Sequence, residues 1–349
     1  MTVLVTGASG MLGRAVATEV VVQAERAASR GEAVARGEIV RTFQRGESGL
    51  RGVVPGVTDA RGSLTDRASV RAAVEGVDAV IHLAAKVSMA GRPEEFDAVN
   101  VEGTRTLLEE CRAAGVSRFV MVSSPSVAHA GLSVVGDDAL PADPERARGE
   151  YARSKAEAEL LALAADEPGF AVVAVRPHIV WGPGDTQLIE RIVERSRRGR
   201  LPLLSGGRAL IDTTYIDNAA TAIVAALNRV EAVHGQSYVI TNGEPRTVAE
   251  LLGGICRAAG VPGPRFSVPA PLAREAGGLI ERVWNLRVHD DEPPMTRFLA
   301  EQLSTSHWYD QRRTRHDLQW QPSVSLDEGL ARLAEWYRVN GQRVNGQRG

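Results

Sequence analysis

The stretch that most constrains this chain is its first thirteen residues. Thr2-Val3-Leu4-Val5-Thr6 is apolar and β-branched, Gly7-Ala8-Ser9-Gly10-Met11-Leu12-Gly13 follows at once, and Arg14-Ala15-Val16-Ala17 opens a helical pattern. A strand, a glycine turn and a helix in immediate succession give the Gly-x-x-Gly-x-x-Gly spacing its meaning. Gly7 can take the positive φ of a tight turn. Gly10 has no side chain to keep a pyrophosphate from the backbone, and Gly13 lets the helix pack close to the strand. The helix start then offers free N–H groups and the positive end of its dipole to a phosphate. Ser9, Met11 and Leu12 share this turn and are assigned to cofactor contact with the three glycines.

Apolar strands then alternate with helical patterns. A long first helix is expected over 14–36, with Val16, Val20, Val21, Ala24 and Ala27 as its apolar stripe. Strands are expected at 38–43, 77–85, 118–124 and 170–176, a strand–helix link at 62–66, and helices at 94–114 and 150–166. This alternation predicts an α/β, Rossmann-type doubly wound parallel sheet covered on both faces. After Pro177 the rhythm breaks into a helix at 185–199, a turn at Gly206-Gly207, and short strands at 213–216 and 237–240 around a helix at 217–230. Thr247-x-x-Glu250 and Ser325-x-x-Glu328 are capping boxes. The expected organisation is a dinucleotide-binding domain over 1–176, with 209–242 returning to it. A smaller α+β substrate-binding region takes 177–208 and 243–337. The repeated Asn-Gly-Gln-Arg at 340–343 and 345–348 marks 338–349 as a disordered polar tail.

Composition closes off other classes. Of 349 residues, 44% are hydrophobic and 24% charged, as in a globular protein with a sizeable core. A net charge of −2, from 41 basic and 43 acidic residues, argues against nucleic acid as a partner. Cys111 and Cys256 stand far apart without metal-ligand spacing, which predicts no metal site and a reducing, cytoplasmic compartment. Met1-Thr2 opens onto a strand rather than a signal peptide, and no run of about 18 apolar residues could span a membrane. Only Lys86 and Lys155 are lysine, against 39 arginines.

Tyr151-Ala152-Arg153-Ser154-Lys155 places a phenol and an ammonium on one helix face. A free tyrosine, with a pKa of about 10, is a poor acid–base group at neutral pH. A nearby cation is expected to lower that value, and the same ammonium can hold ribose hydroxyls. Ser124 ends the strand before this helix, where a hydroxyl can hydrogen-bond a substrate carbonyl and stabilise a developing alkoxide. Ser123 and Ser126 are its rivals.

Together these motifs resemble the extended short-chain dehydrogenases/reductases. The likeness runs through Thr6–Gly13, His82-Leu83-Ala84-Ala85, Ser123-Ser124, Tyr151-x-x-x-Lys155 and Arg176-Pro177-His178-Ile179-Val180-Trp181-Gly182-Pro183-Gly184. The resemblance implies Tyr151 as proton donor or acceptor, Lys155 as its partner and Ser124 as carbonyl anchor. It also implies that Leu83, Ala84, Pro177 and Val180 line the cofactor. Asp212–Ala220 and Pro293–Tyr309 resemble the 3β-hydroxysteroid dehydrogenase-like branch. Within it, Trp181–Leu188, Thr241–Pro245 and the block around Trp308 are most similar to the ketoreductases of bacterial long-chain olefin synthesis. Those enzymes reduce the 3-keto group of a β-keto acid bearing two long alkyl chains, and the product passes to a β-lactone synthetase and a decarboxylase. A homo-oligomer is expected. An NAD-dependent 3β-hydroxysteroid or sterol dehydrogenase, and a non-catalytic nucleotide-binding scaffold, are the alternatives.

Two departures from the superfamily pattern stand out. Ser63 occupies the place of an adenine-binding aspartate, so adenine contact there is expected to be weaker or to come from the Leu64 backbone. The first helix is longer than usual by roughly a dozen residues. Cofactor choice follows from charge. The second strand ends Phe43-Gln44-Arg45, with an arginine where an NAD-binding acid would stand, so NADP(H) is expected with Arg45 on its 2′-phosphate. Lys86, His129 and Arg297 are candidates for holding a substrate carboxylate. Leu272, Ala276, Leu279, Ile280, Val283 and Trp284 form a helical stripe, expected to be core lining an alkyl channel, with peripheral membrane contact as the alternative.

Overall fold

The computed structural model describes the chain except residues 32–36, 89–90, 129–130, 132, 286–296 and 347–349. Seven parallel strands form the central sheet: β1 (Val3–Thr6), β2 (Val40–Gln44), β3 (Val57–Arg61), β4 (Ala79–His82), β5 (Arg118–Val122), β6 (Ala171–Pro177) and β7 (Ser237–Ile240). Their spatial order is β3-β2-β1-β4-β5-β6-β7, so the winding reverses between β1 and β4. Doubly wound sheets hold their ligands at such a reversal.

Five helices cover the sheet: α1 (Met11–Ser29), α2 (Arg67–Val74), α3 (Gly103–Ala113), α4 (Glu150–Ala164) and α5 (Ile216–Val233). Val3 and Val5 pack into a core with Val16 and Val20 of α1 and Ile223 and Leu227 of α5. Leu4, between them, enters the core of the other face with Val70, Leu107 and Ala158. Successive side chains of a strand point to opposite faces, so a strand covered on both sides must be apolar throughout. The exceptions are β2, with Arg41, Thr42 and Gln44, and β3, a polar edge strand that the periodicity registers only through the link that follows it.

The remaining chain builds a four-stranded sheet from Arg246–Thr247, Leu210–Ile211, His307–Tyr309 and Val134–Asp137, in that order. A third core around Trp181, Ile189, Tyr215, Leu252 and Leu333 lies beneath it. Two buried asparagines tie this region to α5. Asn218 Oδ1 accepts from the Ser323 and Val324 N–H groups at 2.9 and 3.1 Å. Its Nδ2 donates to Val324 O at 2.7 Å and to Asn242 Oδ1 at 2.9 Å. Asn242 Nδ2 donates to the same Val324 carbonyl at 2.9 Å.

Three expectations need correction. The first helix ends at Ser29, and 32–36 lie outside the described residues. The tail expected to be disordered from 338 continues the last helix, Leu326–Gly346, with Arg338 paired to Glu335 and Asn340 Nδ2 bonded to Trp336 O. In the described part of helix Ala270–Asn285, Leu272, Ala276 and Leu279 of the expected stripe are exposed rather than core. That helix buries Ala270 and Ala273 against Leu204 and Ala300, leaving Leu272 and Leu279 64% and 62% exposed. Small residues permit closer approach than the bulky stripe would. The side chains of Val283 and Trp284 are outside the description.

Asn218→Ala leaves the Val324 N–H buried without an acceptor and takes the partner from the Ser323 N–H. It should cost about 2–4 kcal/mol, read as a lowered urea midpoint with an unchanged m-value.

Candidate active site

The glycine turn has the shape the spacing requires. Gly7 has φ +76°, and a Cβ there would lie 2.9 Å from the Ala84 backbone. A Cβ on Gly13 would lie 2.4 Å from Gly7 O, so α1 presses against the end of β1 as only glycine permits. A Cβ on Gly10 would meet nothing closer than Gly7 O at 3.4 Å. Gly10 is therefore free of internal crowding, and its openness faces outward. It caps α1 without a side-chain hydrogen bond, and the first turn carries no acid. Uncapped N–H groups at a helix start, with glycine admitting close approach, suit a pyrophosphate.

Across the reversal, Thr6 joins β1 to β4. Its Oγ1 accepts from the Leu83 and Ala84 N–H groups at 3.1 and 3.0 Å and gives its own proton to His82 Nδ1 at 2.8 Å. His82 Nε2 lies 3.0 Å from Thr104 Oγ1, whose proton goes to Asn100 O at 2.6 Å. These directions place the single ring proton on Nε2. Burial, helped by the Lys155 charge, drives the His82 pKa down to about 3, so the ring stays neutral.

Tyr151 and Lys155 sit on α4, facing the end of β5. Ser126 Oγ donates to Ser124 Oγ at 2.9 Å, which leaves the Ser124 proton for the Tyr151 phenol it hydrogen-bonds. Ser126 thus supports Ser124, while Ser123 is buried in the sheet end. Lys155 Nζ donates to Val122 O at 2.8 Å, and burial lowers its pKa to about 8 against the opposing pull of Glu159. The tyrosine differs from expectation. Burial pushes the phenol above its ordinary value, with Ser124 only partly offsetting it. The ammonium gives one of its three protons to the Val122 carbonyl.

Asn100 is a site residue that the sequence reading passed over. It lies in a π-helical turn, Asp97–Glu102, between Pro93–Phe96 and α3. Its Oδ1 accepts from Lys86 N at 2.7 Å and its Nδ2 donates to Ser154 Oγ at 2.9 Å, so it ties the loop after β4 to α4. The available signal was a polar Asn100 and Thr104 at helical spacing on the stripe that Phe96, Leu107 and Cys111 bury.

The sequence model of the 3-beta hydroxysteroid dehydrogenase/isomerase family matches residues 4–270. The chain belongs to that family. A 2-alkyl-3-oxoalkanoate reductase of Stenotrophomonas maltophilia is 42% identical over 339 residues, 95% of this chain and 98% of that one. A 2-alkyl-3-oxoalkanoate reductase of Shewanella oneidensis is 36% identical over 94% of this chain and 84% of its own length. Among solved structures, a double mutant of the dTDP-glucose 4,6-dehydratase DesIV from Streptomyces venezuelae, with NAD bound, superposes with a TM-score of 0.72 at 26% identity, covering 98% of each chain. This member of the 3-beta hydroxysteroid dehydrogenase/isomerase family is accordingly an NAD(P)-dependent oxidoreductase, and its glycine turn fits the dinucleotide.

Other expected site residues of this family member are distributed around the crevice. Arg45 is exposed just beyond β2, while Gln44 is buried with its amide on Thr42 Oγ1 at 3.1 Å. Ser63 Oγ is 2.8 Å from Thr65 Oγ1, and Leu64 is buried against α3. Leu83 and Ala84 are half-buried beside Gly7. Pro177 and Val180 bracket His178 and Ile179, and Ile179 is a β-branched residue at φ 44°, a conformation costing on the order of 1–3 kcal/mol. Lys86 Nζ pairs with Glu95 at 2.7 Å and lies over the Phe96 ring. Arg297 is exposed on the helix Arg297–Gln302, its Nε 3.4 Å from Glu301. His129 lies outside the described residues. No cluster placed to hold a metal occurs among the described residues, and none of their helices is long and apolar enough to cross a membrane.

His82 gives a pH prediction. Its folded pKa of about 3 lies below the unfolded value of about 6.5. Between these the unfolded chain binds a proton that the folded chain refuses. Stability is therefore retained above pH 6.5 and lost as pH falls toward 3, at about 1.4 kcal/mol per pH unit. His82→Gln should remove about 2 kcal/mol from the stability difference between pH 7 and pH 5, measured by urea unfolding at each pH.

Proposed function

We propose that this protein reduces the 3-keto group of a long-chain 2-alkyl-3-oxoalkanoic acid to the 3-hydroxy acid, using NADPH. The observation that carries the reading is the Ser126–Ser124–Tyr151 hydroxyl chain at the end of β5, with Lys155 behind it and the glycine turn beside it. The 42% identical relative is named for this ketone class.

A bound nicotinamide supplies the hydride. The protein must then hold the ketone oxygen and protonate it as charge develops. A phenol whose pKa burial raises keeps its proton at neutral pH, which suits a donor in the direction of reduction. Ser124 donates to the same oxygen. Lys155 stabilises the tyrosinate left behind, because an ammonium nearby favours the anionic phenol. For the substrate carboxylate, Lys86 serves only after exchanging Glu95 for it. The 3-hydroxy acid would be consumed by the lactone-forming and decarboxylating steps of olefin synthesis.

Arg45 supports NADPH over NADH. It is the exposed group at the end of β2, and Gln44 turns inward rather than toward a ribose.

The test is absorbance loss at 340 nm with a 2-alkyl-3-oxo acid, a 3-keto steroid, or no ketone. Turnover should be specific to the keto acid; turnover of the steroid alone would overturn the reading. Tyr151→Phe should lower kcat by about 10²–10⁴-fold. Arg45→Asp should reverse the ratio of kcat/KM for NADPH over NADH, and an unchanged ratio would remove Arg45 from the 2′-phosphate.

A further inference from the structure

Lys155 is backed by a buried ion pair that the proposed chemistry leaves without a role. Glu159 lies one helical turn beyond Lys155 on α4, so the two project from one face. Its carboxylate and the Arg176 guanidinium of β6 are both fully buried. Arg176 Nε donates to the two carboxylate oxygens at 3.2 and 2.9 Å, and Nη2 adds a further bond. Ser237 Oγ of β7 donates to Glu159 Oε1 at 3.0 Å, and Arg176 Nη1 donates to Leu140 O at 2.6 Å. Behind the lysine, α4, β6 and β7 are thereby fixed to one another. Stability explains such a pair poorly, because desolvating two charges costs about as much as their attraction returns.

We propose that Glu159 is a positioning residue for Lys155: anchored by Arg176 and Ser237, its carboxylate keeps the ammonium charged and at its depth beneath the Val122 carbonyl. The inference deepens the ketoreductase reading, which supplies the reason a charged Lys155 matters. Burial drives Lys155 toward its neutral form, and Glu159 opposes that drive. The other groups facing it do not. Tyr151 on α4 and His82 on β4 are neutral, and Arg176 on β6 is a cation that Glu159 compensates. Asp97, Glu95 and Glu110, on the helical segments packed against α4, are engaged by Arg153, Lys86 and Arg71.

The chain has just two lysines, so [13Cε]lysine-labelled protein allows Lys155 to be titrated by NMR whatever the turnover. In Glu159→Gln the Lys155 midpoint should fall by at least one pH unit. The high-pH limb of kcat/KM should move with it, while KM for the keto acid changes less than twofold. Glu159→Gln leaves Arg176 unpaired and can fail to fold. Glu159→Met/Arg176→Met, which replaces the pair with apolar chains, carries the same expectation for Lys155. Titrations and pH profiles that coincide with wild type in either folded variant overturn the proposal. Loss of the fold in both variants assigns the pair to structure and overturns it as well. If wild type oxidises no NADPH with the keto acid while the Lys155 midpoint still shifts, the ketoreductase reading falls and the positioning role stands.

Discussion

One hydroxyl, on Thr6, holds the crevice together. Where the winding of the sheet reverses, the chains leaving β1 and β4 diverge, and the backbone N–H groups after β4 lose the partners a continuing ladder would give them. Thr6 Oγ1 accepts from two of these and passes its own proton to His82, which hands another to Thr104. A buried N–H without a partner is costly. The same contacts set Leu83 and Ala84 against Gly7, so the wall of the crevice and the glycine turn take their spacing from one side chain.

Low polarity governs the protons of the site. Burial lowers the pKa of His82 and Lys155 and raises that of Tyr151, favouring the uncharged form each time. What distinguishes the three is the group opposing burial. His82 has hydroxyl partners on both nitrogens and no carboxylate. Tyr151 has a serine. Lys155 has the Val122 carbonyl and a carboxylate one turn away. A lysine in a dry site keeps its charge only against an opposing carboxylate, while dryness keeps a phenol protonated and makes it a weaker acid.

Much of this was legible in the sequence, for identifiable reasons. Two-sided burial makes most inner strands nearly continuous apolar runs, so β1, β4, β5 and β6 stand out. The turn needs glycine at fixed offsets because α1 touches Gly7, and Tyr151 and Lys155 share a face by helix geometry alone. Less legible were features set by contacts distant in sequence. A π-helical turn shifts Asn100 without changing the pattern around it. The Tyr151 pKa depends on how deeply the phenol is buried, which no spacing records. The apolar stripe of Ala270–Asn285 pointed to burial, yet the alanine face won because close packing favours small side chains.

The asparagine junction bears on how this protein is made. Asn218 and Asn242 belong to the part of the chain that finishes the nucleotide-binding sheet, but both also need partners from Ser323 and Val324. During synthesis, both amides must stay hydrated until position 324 has cleared the ribosome. The sheet therefore cannot dry out behind the growing chain. Its final closure waits for the segment around Val324.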